Sequence, residues 1–118
     1  MKSFLGLLSL IIGTNTGAAS ASPTTTVDRS NVVIIDVRTP QEYNQGHVDK
    51  SLNIDFLNAD FKTQIAKLDK NKLYGLYCRS GNRSGQALKV MKQMGFTQVE
   101  NLGSLEQARR ALTSGWPR

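Results

Sequence analysis

Apolar positions along the chain change their spacing in a regular order. Val32-Val33-Ile34-Ile35-Asp36-Val37 is a nearly unbroken β-branched run, which suits a strand covered on both faces, as in a parallel sheet. Thr39-Pro40-Gln41-Glu42 then carries the marks of a helix start: threonine as N-cap, proline at the first helical position and glutamate placed to close a capping box. Gly46 ends this short helix. Ser51 to Ile54 reads as a second short strand. Leu57, Phe61, Ile65 and Leu68, at intervals of four, four and three, predict one apolar face of a helix. Leu73 to Tyr77 is a third strand. Gly85 to Met94 follows as a helix with Ala87, Val90, Met91 and Met94 inward and Gln86, Lys89 and Gln93 outward, stopped by Gly95. Thr97 to Asn101 forms a last short strand, and Ser104 with Gln107 offers a second capping box before Leu105, Ala108 and Leu112.

Strand and helix alternate throughout, so the fold class is α/β, with parallel strands joined by right-handed helical crossovers and helices on both faces of one sheet. In such open sheets the ligand site lies beyond the carboxyl ends of the strands. Cys78, directly after the third strand, sits there. A chain of 118 residues with 39% hydrophobic content is one globular domain. It contains no internal repeat or low-complexity tract.

The N-terminus is of another kind. Lys2, the apolar run Phe4 to Ile12, and small and polar residues ending Ala19-Ser20-Ala21 have the layout of a secretory signal peptide. The apolar run is too short to span a bilayer. The expected division is therefore a signal peptide over 1–21, a flexible lead-in over 22–30 and the folded domain over 31–118, in a periplasmic or secreted protein. Cleavage after Ala21 would leave 97 of the 118 residues and, with Lys2 gone, a formal charge of +5 in place of +6. The basic residues are scattered, with no run longer than Arg109-Arg110, which argues against a polybasic nucleic-acid tract and for a small anionic ligand.

The chain has one cysteine, so no internal disulfide is available to it. A lone cysteine is most often a small buried hydrophobe. The surroundings of Cys78 point elsewhere: Cys78-Arg79-Ser80-Gly81-Asn82-Arg83-Ser84 runs from a strand end into a helix start. A helix N-terminus offers unpaired N–H groups and a partial positive charge. Gly81 and Asn82 tolerate the left-handed backbone that curls successive amides toward one point. Arg79 and Arg83 add two cations, and all these features lower a thiol's pKa and favour its nucleophilic thiolate.

With these residues the chain resembles the single-domain rhodaneses, in particular the exported phage shock protein E type. The resemblance covers roughly residues 31 to 104 and is carried by Asp36-Val37-Arg38, Glu42-Tyr43, Gly46-His47, Asn53-Ile54, the Cys78 to Ser84 loop, Gly95-Phe96 and Asn101-Leu102-Gly103. It implies a three-layer α/β/α domain around a five-stranded, mainly parallel sheet. It also implies a thiosulfate sulfurtransferase in which Cys78 is the catalytic nucleophile, taking the outer sulfur of thiosulfate as a persulfide and passing it to cyanide or a thiol. Loop amides from Ser80 to Arg83 would stabilise the charged sulfur, Arg79 and Arg83 would hold the anionic donor, and Ser80, Gly81, Asn82 and Ser84 would line its site. No cofactor, metal or nucleic acid is implied. The partners are a small anionic sulfur donor and a thiophilic acceptor, a protein thiol included, and the expected state is a monomer.

Other readings of the same residues carry less weight. Asp36, Arg38 and Glu42 read as a structural charge cluster, and His47, the only histidine, as a packing and hydrogen-bonding residue rather than a general base. Ser104 stands where many relatives have a second glycine after Gly103. Cysteine phosphatases and arsenate reductases space cysteine and arginine as C-x5-R, whereas Cys78 and Arg83 give C-x4-R, a ring one residue short for a tetrahedral phosphate. A persulfide carrier with little turnover of its own would use the same loop.

Overall fold

The β-branched run forms the strand it predicts, β1 (Val32–Asp36). The computed structural model describes residues 32–117, so the expected signal peptide and lead-in lie outside the described residues. β1 is flanked by β2 (Leu52–Asn53) on one side and β3 (Leu73–Cys78) on the other, and β3 pairs in turn with β4 (Val99–Ser104). All pairings are parallel and the order is β2-β1-β3-β4. The expected five-stranded sheet is thus corrected to four strands among the described residues. Four is also the number of strand-like runs in the sequence.

Alternation along β1 and β3 divides the core between two faces. Val33, Ile35 and Val37, with Tyr74, Leu76 and Cys78, share one face with Phe61 and Ile65 of α2 (Phe61–Ile65) and Ala87 and Met91 of α3 (Asn82–Gln93). Ile34 and Tyr77 face the other way, against Val48, Leu102 and the Leu105, Ala108 and Leu112 side chains of α4 (Leu105–Thr113). The result is the expected three-layer α/β/α arrangement. Gly75 lets the second layer close on β3: a Cβ there would stand 2.7 Å from both Leu102 Cδ1 and Trp116 Cη2.

Both capping boxes form. Thr39 and Glu42 cap α1 (Pro40–Asn44), and Ser104 and Gln107 cap α4. Ser104 in place of a second glycine therefore supplies a helix cap, while Gly103 alone provides the left-handed turn before it, at φ +90°. Gly95, at φ +102°, follows the end of α3 as expected.

Three elements depart from the sequence expectation by more than one residue at an end. The helix predicted from Leu57 begins only at Phe61, because Asp55 Oδ1 accepts Leu57 N–H at 2.9 Å and Asn58 Oδ1 accepts Asp60 N–H at 2.7 Å. These local side-chain turns compete with helix, and Leu57 is left 67% exposed rather than on the apolar face. α3 starts at Asn82 rather than Gly85, so Asn82 is its first helical residue and Gly81 alone takes the left-handed conformation, at φ +95°. β4 begins and ends later than predicted and carries a bulge: Leu76 pairs with Asn101 but Tyr77 with Gly103, leaving Leu102 over.

Candidate active site

The carboxyl ends of β1 and β3 rest on a buried polar platform. Arg38 Nε and Nη2 donate to the two Asp36 oxygens at 2.9 and 2.6 Å, and the Arg38 amide donates to Asp36 Oδ1 at 2.9 Å. Tyr77 O–H adds a third partner to Asp36 at 2.8 Å, and Arg38 Nη2 also reaches the Gly46 carbonyl at 2.7 Å. Asp36 and Arg38 are thus the expected structural pair. His47 likewise packs, its ring stacked on Tyr43 at 3.6 Å and its Nδ1 2.7 Å from the Tyr43 carbonyl. Glu42 departs from the expected cluster and joins the cysteine loop.

Cys78 ends β3 with its side chain turned to the α2/α3 face and fully buried. Three residues on, Gly81 turns left-handed and aims its own N–H at Cys78 Sγ, at 2.9 Å. Gly81 is the N-cap of α3 and has no side chain with which to accept from the first amides of the helix. The sulfur accepts in its place. Ser84 N–H, at the third helical position that an N-cap side chain ordinarily serves, meets Sγ at 3.4 Å. Cys78 Sγ therefore occupies the anion position of a twelve-residue helix.

Charge at the sulfur follows from these contacts. Burial pushes the Cys78 thiol up, but hydrogen bonds from the Ser84 hydroxyl and from the Ser84, Ser80 and Gly81 amides outweigh it, and the net shift is downward. Among the lowering causes the Ser84 hydroxyl comes first and the three amides follow. The Ser84 hydroxyl has one proton and lies 2.7 Å from Asn101 Oδ1 but 3.4 Å from Sγ. The structure thus brings Ser80, Gly81 and Ser84 onto the sulfur. Asn82 is exposed and bonds to Gln86 Nε2 at 3.0 Å.

The two arginines have different surroundings. Arg83 lays its guanidinium fork on Glu42, Nη1 to Oε1 at 2.9 Å and Nη2 to Oε2 at 3.1 Å. The Glu42 hydrogen bond is the main cause of the raised Arg83 pKa, with the Cys78 charge contributing. Arg83 in turn holds Glu42 at about 2, with help from the Thr39 amide and hydroxyl. Arg79 is exposed and has no ion-pair partner among the described residues.

Sequence signals alone do not single out two members of this neighbourhood: Glu42, which reads as part of the β1 charge cluster, and Asn101. Asn101 donates from Nδ2 to the Gly81 carbonyl at 3.0 Å and accepts at Oδ1 from Ser84 Oγ and from Gly103 N at 2.7 and 2.9 Å. The available signal is an asparagine followed by Leu-Gly inside a strand, where asparagine and glycine are both unfavourable. Among the described residues, no group of His, Cys, Asp and Glu side chains is placed to hold a metal ion.

The comparisons with known proteins agree with this geometry. The profile of the rhodanese-like domain matches residues 24–110. The chain is 42% identical over 72 residues to thiosulfate sulfurtransferase PspE of Escherichia coli, covering 61% of this chain and 69% of that protein. It is 33% identical to a sulfurtransferase of Allochromatium vinosum, over 72% of this chain and 79% of the relative. Among solved structures, an E. coli rhodanese with anions superposes with a TM-score of 0.57 at 39% identity, covering 64% of this chain and 89% of that one. A buried cysteine at the head of a helix, in a parallel α/β sheet whose sequence matches this profile over most of its length, leaves one assignment: the chain belongs to the rhodanese-like domain family.

Proposed function

We propose that the protein is a thiosulfate sulfurtransferase working through a persulfide on Cys78. The observation that carries the reading is Cys78 Sγ at the N-terminus of α3, where the Gly81 and Ser84 amides meet it and its pKa is lowered. The names of the relatives, a thiosulfate sulfurtransferase and a sulfurtransferase, support the same activity.

In the first half-reaction the Cys78 thiolate attacks the outer sulfur of thiosulfate. A Cys78–sulfur bond forms, the bond between the two thiosulfate sulfurs breaks, and its electron pair leaves with sulfite. In the second, an acceptor nucleophile takes the outer sulfur of the persulfide. Cyanide leaves as thiocyanate, or a thiol as its own persulfide, and the Cys78 thiolate is restored. No net redox change occurs, and the two steps predict ping-pong kinetics. Amides fixed at the start of α3 favour the thiolate and then the persulfide, because both place negative charge within reach of N–H donors that need no reorganisation. Arg79 offers its charge to the dianionic donor, and Arg83 the N–H groups that Glu42 leaves free.

The reading includes a location outside the cytoplasm, on the signal-peptide layout of residues 1–21. Incubation of purified protein with thiosulfate followed by mass spectrometry tests the first half-reaction: a gain of one sulfur atom on Cys78 is expected, and its absence rejects the mechanism. Addition of cyanide must then remove that sulfur as thiocyanate. Rapid removal supports the enzyme, whereas an intact persulfide that yields only to a protein thiol supports a carrier.

A further inference from the structure

Asn101 stands on β4 opposite Leu76, immediately before the bulge. Val99 and Asn101 pair with Tyr74 and Leu76 in regular register, so alternation puts Asn101 on the face that α3 covers, and its side chain reaches the head of α3. Its contacts fall on two residues. Nδ2 donates to the Gly81 carbonyl at 3.0 Å, and Oδ1 accepts the Ser84 hydroxyl at 2.7 Å. These are the same two residues whose backbone N–H groups meet Cys78 Sγ, at 2.9 and 3.4 Å.

The orientation of the amide is over-determined. Oδ1 faces two donors, Ser84 O–H and Gly103 N–H, while Nδ2 faces a carbonyl, and the flipped amide would set donor against donor and acceptor against acceptor. Backbone packing supports the same contact. A Cβ on Gly81 would lie 3.3 Å from Gly103 Cα, and one on Gly85 would lie 3.3 Å from Asn101 Nδ2. The β4 bulge and the cysteine loop thus meet glycine to glycine, with one side chain bridging them.

We propose that Asn101 is a positioning residue for the nucleophile: from β4 it fixes Gly81 and Ser84 so that their amides converge on Cys78 Sγ. Its side chain bonds to Gly81, Ser84 and Gly103 and not to the sulfur. The Gly81 carbonyl also accepts the first helical bond of α3, from Gly85 N–H at 3.0 Å, so the Asn101 bond anchors the N-cap residue itself. Loss of the bridge frees Gly81 to rotate about its left-handed turn, and the amide nearest the sulfur loses its aim. The inference rests on Cys78 being the reactive group and is independent of which donor or acceptor the enzyme uses.

The charged groups about Cys78 are Arg83 of α3, with Glu42 of α1 on its fork and Asp55 acting on it from beyond β2, and exposed Arg79. None bonds to Asn101, so its replacement leaves their charges in place. The test is the pH dependence of Cys78 alkylation by iodoacetamide, which follows the thiolate fraction and needs no sulfur donor. Asn101→Ala and Asn101→Thr, the second chosen because threonine suits a strand, are compared with the parent chain alongside thermal melts. The expected result is a midpoint higher by about 0.5 to 1 pH unit, seen as about a three- to tenfold slower alkylation at pH values below both midpoints. A melting temperature lowered in both variants with the alkylation midpoint unchanged means that Asn101 only stabilises the fold, and overturns the proposal. Failure of the sulfurtransferase reading shows separately, as a parent chain that alkylates normally yet forms no thiocyanate.

Discussion

Arg83 and Glu42 meet fork to fork, at 2.9 and 3.1 Å, across the gap between α3 and α1. The cysteine loop alone would present Arg83 as a bare cation beside the thiolate. In the folded protein a carboxylate already offsets that charge, and the same carboxylate closes the capping box on Thr39. The head of α1 and the head of α3 are therefore joined by one side chain.

Arg83→Ala is expected to lower kcat/KM for thiosulfate by about 10- to 100-fold, the loss of a charge-assisted contact of about 1.5–3 kcal/mol. It also leaves the Glu42 carboxylate unpaired near the anionic site. Glu42→Gln has the opposite effect on charge, releasing Arg83 toward the donor, and is expected to lower KM for thiosulfate. A raised KM in Glu42→Gln would show that Glu42 matters by holding Arg83 in place rather than by offsetting its charge.

The same pair makes stability depend on pH. Glu42 is held at about 2 against an ordinary value of 4.5. A carboxylate with a depressed folded-state pKa stabilises the fold above its unfolded value, and that contribution disappears as pH falls from about 4.5 toward 2. With side chains 22% and 23% exposed, solvent screening reduces the effect to about 1–2 kcal/mol. Denaturant unfolding of parent and Glu42→Gln proteins should therefore give a stability difference that narrows by this amount between pH 6 and pH 2. A constant difference contradicts it.

How much of this is legible in the sequence depends on whether a signal is local. Thr39-Pro40-Gln41-Glu42 and Ser104 with Gln107 announce helix starts because every partner in a capping box lies within four residues, and both boxes form. Cys78 is legible for the same reason, since the helix head that receives its sulfur begins four residues later. Leu57 misleads because periodicity counts it with Phe61 and Ile65, while Asp55 and Asn58 hold the backbone in turns. Glu42 with Arg83 and Asn101 with Gly81 are contacts 41 and 20 residues apart in sequence. No spacing rule reaches that far, and the face that Asn101 takes depends on the register of β4 against β3.

Gly75→Ala probes the close approach of the second layer. Its Cβ would stand 2.7 Å from Leu102 Cδ1 and from Trp116 Cη2, closer than side chains pack. Trp116 is further held by its Nε1–H on Glu100 Oε1 at 2.9 Å and has little freedom to withdraw. Overpacking of this kind costs about 1–3 kcal/mol, which a denaturation midpoint measures. An unchanged midpoint would show that the C-terminal segment yields without cost.

Cys78→Ser separates chemistry from architecture. Serine keeps an acceptor where the Gly81 and Ser84 amides point, so the head of α3 stays capped and the variant is expected to fold. It has no sulfur to form a persulfide, so thiocyanate formation and the mass gain on thiosulfate treatment should both vanish. It should also change stability against pH. The lowered Cys78 pKa makes the folded parent favour thiolate, so its stability rises with pH from the folded value up to the unfolded value of about 8.5. Below the folded value this contribution is gone. The serine variant lacks a titrating group there and should show a flatter profile through that window. Thiocyanate formation at the parent rate in this variant would move the reaction away from Cys78.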